Sequence, residues 1–484
     1  MSLPGRLALW LYSLLMRLAQ PFLRARLRQR GATEPGYLVA MDERFGLYSG
    51  AAPASGGYVW IHAVSLGETR AAAVLVERLR DSQPGLRLLL THSTATGRSE
   101  GARLLRAGDV QAWQPWDTPE AVQRFLARFS PKIGILIETE VWPNLSQGCK
   151  CAGVPLVLVN ARLSDKSLQK ARSLGWLSRP AYAALAEVWA QTGADAGRLR
   201  LAGAKVTGVL GNIKFDAMPD AAQLAQGAGW RQAWHGNAKR PIAMLASSRA
   251  GEEAAFLDGL EQFKIFSHVG IKLFATNTVA NDARLDASAG TGMQWLVVPR
   301  HPQRVDEVAS LIEGRGLRVS RRSTWNDAGP SVPGDDAADV IWLGDSLGEM
   351  SMYYGLADVA LLGGSFEALG GQNLIEAAAC GCPVIMGPHT FNFAEAAAQA
   401  IDAGAALRVA TLDEAIALAK RLVNGAANGA VNAEVNKEVN TEANGEQSGI
   451  TGLVAMRAAT HGFTAAHRGA VDKTVAALLR LLRA

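Results

Sequence analysis

Trp60-Ile61-His62-Ala63-Val64-Ser65-Leu66-Gly67-Glu68-Thr69 passes from an apolar run into a glycine turn and then into a helical pattern over Ala71 to Arg80. A short strand that hands its chain to a helix start in this way is the opening unit of a parallel α/β sheet. Ser65 and Glu68 have capping-box spacing, so an ordinary account has each of them satisfying an amide at the helix start. The same carboxylate lies beyond the carboxyl end of a strand, where parallel sheets bind their ligands. There the helix dipole keeps it ionised, which suits a general base. Sequence alone leaves both readings of Glu68 open.

The pattern repeats in both directions from this stretch. Strand candidates run over Tyr58 to Val64, Arg87 to His92, Lys132 to Ile137, Val154 to Val159 and Glu187 to Gln191, with helical patterns between them. An irregular stretch follows near Ala217 to Lys239. A second series then begins at Ile242 to Ser247 and continues through Trp295 to Pro299, Asp339 to Leu343, Asp358 to Leu362 and Pro383 to Met386. The fold class this predicts is α/β, with two doubly wound Rossmann-like domains whose strand ends face one cleft. The 484 residues suit two domains rather than one core. The expected divisions are 1–33, 34–225, 226–423, 424–450 and 451–484. The last holds a helix with Val471, Val475, Leu478, Leu479 and Leu482 on one side.

Composition narrows the class further. About half the chain is apolar and 19% is charged, which excludes a wholly disordered or fibrous protein. The net charge of +5 is mild and gives no reason to expect a nucleic-acid partner. It is concentrated at the start, where Arg6, Arg17, Arg24, Arg26, Arg28 and Arg30 precede the first acid, Glu34. With the apolar run Leu7 to Met16 among them, residues 1–33 read as a membrane-anchoring helix, marginal in length for a span. Cys149 with Cys151 and Cys380 with Cys382 form two Cys-x-Cys pairs among small residues, which fits a reducing compartment and ordinary packing rather than a structural metal. From Val431 a four-residue Val-Asn-x-Glu unit recurs, so 424–450 reads as a low-complexity insertion.

Further chemistry-bearing groups follow strands. Ile137-Glu138-Thr139-Glu140-Val141-Trp142-Pro143-Asn144 carries two carboxylates out of an apolar strand, and strand alternation turns only one of them to the cleft. In the second half, Ser247-Ser248-Arg249-Ala250-Gly251-Glu252-Glu253, Val298-Pro299-Arg300-His301-Pro302 and Gly344-Asp345-Ser346-Leu347-Gly348-Glu349 each expose amides or a cation suited to phosphate. Gly363-Gly364-Ser365 comes next, then Gly370-Gly371-Gln372-Asn373-Leu374-Ile375-Glu376. In this last loop Asn373 is placed to cap a helix, and Glu376 is placed to accept bonds from a ribose diol. One such loop is only a good turn, but four in one domain indicate a nucleotide site.

Together these stretches resemble the 3-deoxy-D-manno-octulosonic acid (Kdo) transferases of bacterial lipopolysaccharide synthesis. Residues His62 to Thr69, Glu138 to Asn144, Asn160-Ala161-Arg162-Leu163-Ser164, Gly211-Asn212-Ile213-Lys214-Phe215-Asp216, Gly370 to Glu376 and Met386 to Phe393 are similar to that family's signatures. The resemblance implies a GT-B fold, with an acceptor-binding first domain and a CMP-sugar-binding second domain. It implies CMP-Kdo as donor substrate with no further cofactor, the lipid A precursor (lipid IVA) as acceptor, and inversion without a metal. The place of action it implies is the cytoplasmic face of the bacterial inner membrane, with membrane lipids as partners. In that picture Glu68 is the base, while Glu138 and Lys214 support the transition state. Pro299, Arg300, Leu347, Gly348, Glu349, Asn373, Leu374, Ile375 and Glu376 hold CMP. The chain departs from the family in having Arg249 where His is usual, and in Glu261 to Gln294 and the Asn-rich repeat. Two other classes use the same architecture: sugar-nucleotide epimerases, and non-catalytic sugar-nucleotide-binding membrane proteins. The basic apolar start favours transfer over the first, and the presence of both Glu68 and Glu376 favours catalysis over the second.

Overall fold

The computed structural model describes residues 3–49, 57–238, 240–269, 292–330, 339–427 and 452–483. They form two compact units: residues 1–217 with 467–484, and residues 218–466.

The first unit is built on a parallel sheet of seven strands among the described residues: Val59–His62 (β1), Leu88–His92 (β2), Val110–Trp113 (β3), Ile133–Ile137 (β4), Leu156–Ala161 (β5), Glu187–Ala190 (β6) and Val206–Val209 (β7). Their order is β3-β2-β1-β4-β5-β6-β7. The central strands are apolar on both faces because helices cover both: Val59, Ile61, Ile135, Val157 and Val159 pack beneath Leu75, Val76 and Leu79 of helix Leu66–Ser82. Trp60, Leu136 and Leu158 pack on the other side with Phe125 and Phe129. The order reverses between β1 and β4, which is the switch point where such a sheet opens a crevice for ligand.

Residues Leu3–Thr33 form one helix. Among the described residues no helix is long and apolar enough to cross a membrane. This helix is partly built into the unit. Ser13 Oγ donates to Asn144 Oδ1 at 3.0 Å, Arg17 pairs with Glu120 at 2.5 Å, and the Tyr12 hydroxyl bonds the buried Asp117 carboxylate. Asp117 in turn accepts from the Asn144 and Leu145 amides at 3.0 and 2.8 Å, holding the start of helix Pro143–Cys151.

The second unit repeats the plan with Ile242–Ser248 (β8), Gln294–Pro299 (β9), Arg318–Arg321 (β10), Val340–Leu343 (β11), Val359–Leu362 (β12), Val384–Met386 (β13) and Ala406–Arg408 (β14). All neighbours are parallel, in the order β10-β11-β9-β8-β12-β13-β14, so this switch point lies between β8 and β12.

Three sequence expectations change. The stretch expected to be irregular, Ala217 to Lys239, is mostly helix, Ala221–Ala238. It lies against helix Met350–Leu356 with glycine on each side: a Cβ on Gly227 would stand 2.1 Å from the Met352 carbonyl oxygen, and one on Gly355 2.6 Å from that of Leu224. Glycine marks backbone approach here, not a break. This packing moves the passage between units to 217/218 from the expected 225/226. Residues 451–484 hold two helices, Gly452–His467 and Ala470–Arg483, divided at Gly469 with φ +95°. The second returns to the first unit, where Val471, Val475 and Leu478 are buried and Asp216 accepts from the Gly469 and Val471 amides at 2.5 and 2.8 Å. Most of the low-complexity segment 424–450 and of the divergent stretch Glu261 to Gln294 lies outside the described residues.

Candidate active site

At the first switch point, Glu68 has the capping role that its spacing predicts. Ser65 is the N-cap of helix Leu66–Ser82, its hydroxyl accepting from the Glu68 amide at 3.4 Å. The Glu68 carboxylate reaches back to accept from the Val64 amide at 2.9 Å and the Ser65 hydroxyl at 3.2 Å. This is a capping box whose return bond falls on the amide one residue before the N-cap. The expectation that the helix start keeps Glu68 readily ionised does not hold. Burial, followed by the charge of Glu138, pushes its carboxyl up to about 7, against the smaller opposing pull of the Val64 amide. Half-buried and poised at neutral pH, Glu68 is a stronger base than an ordinary carboxylate.

Glu138 begins where β4 stops, and its φ of +67° is rare for a residue with a side chain. Strand alternation therefore does not apply across Glu138 and Glu140. Both charges bear on Glu68, and Glu140 is fixed by the Trp142 indole at 2.7 Å. The buried Glu138 carboxylate is held from two sides, by Lys214 Nζ at 2.6 Å and Arg162 Nε at 3.2 Å. Asn160, at the end of β5 with φ +52°, sets this up by accepting from the Ile213 amide at 3.0 Å. That bond fixes the 3₁₀ turn Ile213–Asp216, which carries Lys214. The structure thus brings Glu68, Glu138 and Lys214 together. Sequence reading gave Arg162 and Asn160 no role of their own; the available signal was an Asn-x-Arg leaving an apolar strand. His62, inside the quoted motif, is a core residue: burial drives its ring down to about 3, and its Nδ1 contacts the Thr91 hydroxyl at 2.9 Å.

In the second unit, the loops after β8, β9, β12 and β13 are knitted together. Ser247 has φ +55°, and the buried Glu252 carboxylate accepts from the Arg249 amide at 2.9 Å and the Gly364 amide at 2.8 Å. The Arg300 amide donates to the Ser248 carbonyl at 3.0 Å, and its Nε donates to Gln372 Oε1 at 3.1 Å. Gly371 and Gln372 donate back to Gly364 and Gly363, and Asn392 donates its amide to Gly370 at 3.0 Å. Arg249 lies beside His301, Nη1 to Nε2, at 3.2 Å. Arg300 and Glu376 both bear on the buried Tyr354 phenol, with opposite sign. These two expected donor residues therefore share one locality, with Tyr354 as a neighbour that sequence reading missed.

Other expected residues stand differently. Asn373 occupies the N-cap position of helix Leu374–Ala379 but makes no capping bond, and its Oδ1 is buried without a hydrogen-bond partner, so the expected cap is not formed. Leu374 and Ile375 are buried in the core and offer a ligand only backbone. Pro299 ends β9. Leu347 is exposed, and Gly348 has φ +89°. Glu349 is engaged by Arg322 at 2.9 Å and by the Ser346 hydroxyl, which ties its loop to the β10 end. Tyr353 touches Ser346 at 2.5 Å, so adjacent tyrosines of one helix connect this loop to the Arg300 and Glu376 locality.

Residues 40–217 match the family model described as 3-deoxy-D-manno-octulosonic-acid transferase (kdotransferase). A 3-deoxy-D-manno-octulosonic acid transferase of Bordetella pertussis is 45% identical over 441 residues, covering 90% of this chain and 90% of its own. This chain belongs to the 3-deoxy-D-manno-octulosonic acid transferase family. The Kdo transferase of Haemophilus influenzae is 30% identical over 84% of this chain and 88% of its own. Membership makes the protein a glycosyltransferase of the Kdo class. A glycosyltransferase from Rickettsia africae shares the fold, with a TM-score of 0.51 at 11% identity over 88% of this chain and 99% of that one.

The raised carboxyl of Glu68 gives a signature separate from activity. Unfolding returns it to its ordinary value near 4.5. Between about 4.5 and 7 the folded Kdo transferase therefore holds a proton that the unfolded chain has lost, and stability falls as pH rises through that window. Glu68→Gln removes this dependence. The melting temperature of the variant relative to the parent should rise from pH 4.5 to pH 7.5, by the equivalent of about 1 to 3 kcal/mol. A difference that stays flat with pH would show that the carboxyl is not perturbed.

Proposed function

We propose that the protein transfers Kdo from CMP-Kdo to the lipid A precursor in lipopolysaccharide synthesis, by a single inverting displacement with Glu68 as general base. The observation that carries this is the Glu68 carboxyl, poised near 7 at the first switch point of a Kdo transferase. Glu68 takes the proton from the acceptor sugar hydroxyl as that oxygen bonds to the anomeric carbon of Kdo, and CMP leaves with the bonding electrons. Glu138, paired with Lys214 and Arg162, acts by its charge, which adds to burial in keeping Glu68 basic. In the second unit, Arg300 with the amides of the Gly363 to Gln372 loops meets the phosphate, and Glu376 meets the ribose diol. The Leu347-Gly348-Glu349 loop and Asn373 complete the donor site. The arrangement we assign to the two Rossmann-like domains is GT-B. The attack uses one base and no covalent nucleophile, so a bound metal has no assigned step.

Helix Leu3–Thr33 supports action at a membrane surface. Leu3, Leu7, Trp10, Leu11, Leu15, Leu18 and Phe22 are all exposed, at three- and four-residue spacing along one side, while Gly5, Ser13, Leu27 and Gly31 face the protein. An apolar stripe among arginines lies in a headgroup layer rather than across it. We assign this surface to the cytoplasmic leaflet of the inner membrane.

Three measurements test these assignments. Glu68→Gln keeps the size of the side chain and an acceptor for the Val64 amide, so a residue that only caps tolerates the change. As the base, it should lose at least about 10²-fold in kcat with donor affinity unaltered; near-normal kcat would refute the mechanism.

By calorimetry, Glu376→Ala and Arg300→Ala should each weaken CMP binding, Glu376→Ala by about 2 to 3 kcal/mol. Wild-type affinity in both would remove the donor from the second unit.

Leu7→Asp combined with Phe22→Asp should abolish co-sedimentation with anionic phospholipid vesicles at an unchanged melting temperature. Undiminished pelleting would show that the stripe does not meet the membrane.

A further inference from the structure

Helix Leu3–Thr33 and helices Pro119–Phe129 and Pro143–Cys151 enclose a groove of about 1240 Å³, lined by none of the residues assigned above to the transfer. Leu9, Trp10, Val122, Leu126 and Val154 give it apolar walls. Arg6, Arg17 and Lys132 line it as well, and none of its lining residues is acidic. Arg17 is partly committed, to Glu120 at 2.5 Å. Arg6 belongs to the helix that carries the exposed stripe, and Lys132 lies at the amino end of β4. Trp10 belongs to the groove and to the exposed stripe together, so the groove opens onto the side we assign to the membrane.

From this geometry we infer that the groove binds one acyl chain of an anionic bilayer phospholipid, with its phosphate at Arg6 and Lys132. The inference rests on the interfacial reading of the helix. The lining supports it: the apolar side chains accept a hydrocarbon chain, and cations without carboxylates select a phosphate headgroup over a neutral one. The position of Lys132 separates this lipid from the reacting acceptor. Lys132 precedes β4, whereas Glu138 follows it, and a strand of this length spans about 17 Å. The groove also touches the site loop, because Ser13 and Asn144, bonded to each other, line it and Asn144 ends the Glu138 to Asn144 motif. A chain lodged there would hold the enzyme on the bilayer through a contact that also braces that loop.

Cys151 provides the probe. It lines the groove and is exposed, whereas Cys149, Cys380 and Cys382 are buried and burial pushes each of their thiols up to about 12. Alkylation of the folded full-length chain therefore reports Cys151. Monomeric dodecyl phosphate, kept below its micelle concentration, should slow that alkylation by at least about fivefold at saturation. Inorganic phosphate and dodecanol should do much less. Arg6→Glu with Lys132→Glu should abolish the protection, and so should Ala127→Trp, which fills the groove from an exposed helix position; the melting temperature should not move. Alkylation unaffected by dodecyl phosphate would overturn the inference, as would full protection in the double charge reversal, or displacement of dodecyl phosphate by the lipid acceptor. Vesicle pelleting measured on the same preparations separates the two readings: pelleting without protection leaves the membrane-facing helix in place and removes only the groove.

Discussion

Much of the first unit depends on one buried carboxylate, Glu138, kept in place by Lys214 and Arg162. A charge taken out of water is tolerated only where partners and hydrogen bonds replace the solvent, and removing one member of such a set costs about 3 to 5 kcal/mol. The partners come from separate loops, Arg162 after β5 and Lys214 after β7. Holding Glu138 therefore holds the carboxyl ends of three strands in register with one another. The left-handed backbone at Glu138 and Asn160 belongs to the same arrangement, since it turns the chain away from the strand direction where the side chains must converge. Asn160 makes the link explicit through the Ile213 amide, without which Lys214 would have no fixed origin.

Glu68 follows from this. Its capping bonds alone would lower its pKa, and the charge of Glu138 together with burial overrides them. A structural carboxylate at a helix start ordinarily remains ionised and weakly basic. Here the same local motif is buried beside a second carboxylate, and its carboxyl is raised to about 7. The two cations stabilise Glu138 rather than Glu68, so the base keeps its elevated affinity for a proton while the site as a whole stays close to charge balance.

Which parts of the fold were legible follows the same physics. The interior strands of both sheets were visible as apolar runs because helices bury both of their faces. The four strands that escaped, β3, β7, β10 and β14, are the edge strands of the two sheets, and each is short and partly exposed. Edges carry fewer apolar residues, so hydrophobic patterning does not mark them. Helix Ala221–Ala238 escaped for another reason: at Gly227 it meets a second backbone, so its pattern there is set by close approach and not by an apolar side chain. Among the candidate site residues, Glu68 and Glu138 were legible because carboxylates beyond apolar strands stand out. Arg162, Asn160 and Tyr354 were not, because their importance comes from what they touch across the sheet. Asn373 shows the converse, a residue whose type and position fit a cap but whose side chain does not make one.

The two units satisfy their buried carboxylates in opposite ways. In the first, Glu138 is matched by side-chain cations and, after burial, adds to the rise of the Glu68 carboxyl. In the second, Glu252 is matched by the backbone amides of Arg249 and Gly364, so its charge is spent internally on binding two loops together. Arg300 and the remaining amides of the glycine-rich turns are the groups we assign to the donor phosphate. The same residue type beyond a strand end is thus held by cations in one unit and by backbone amides in the other.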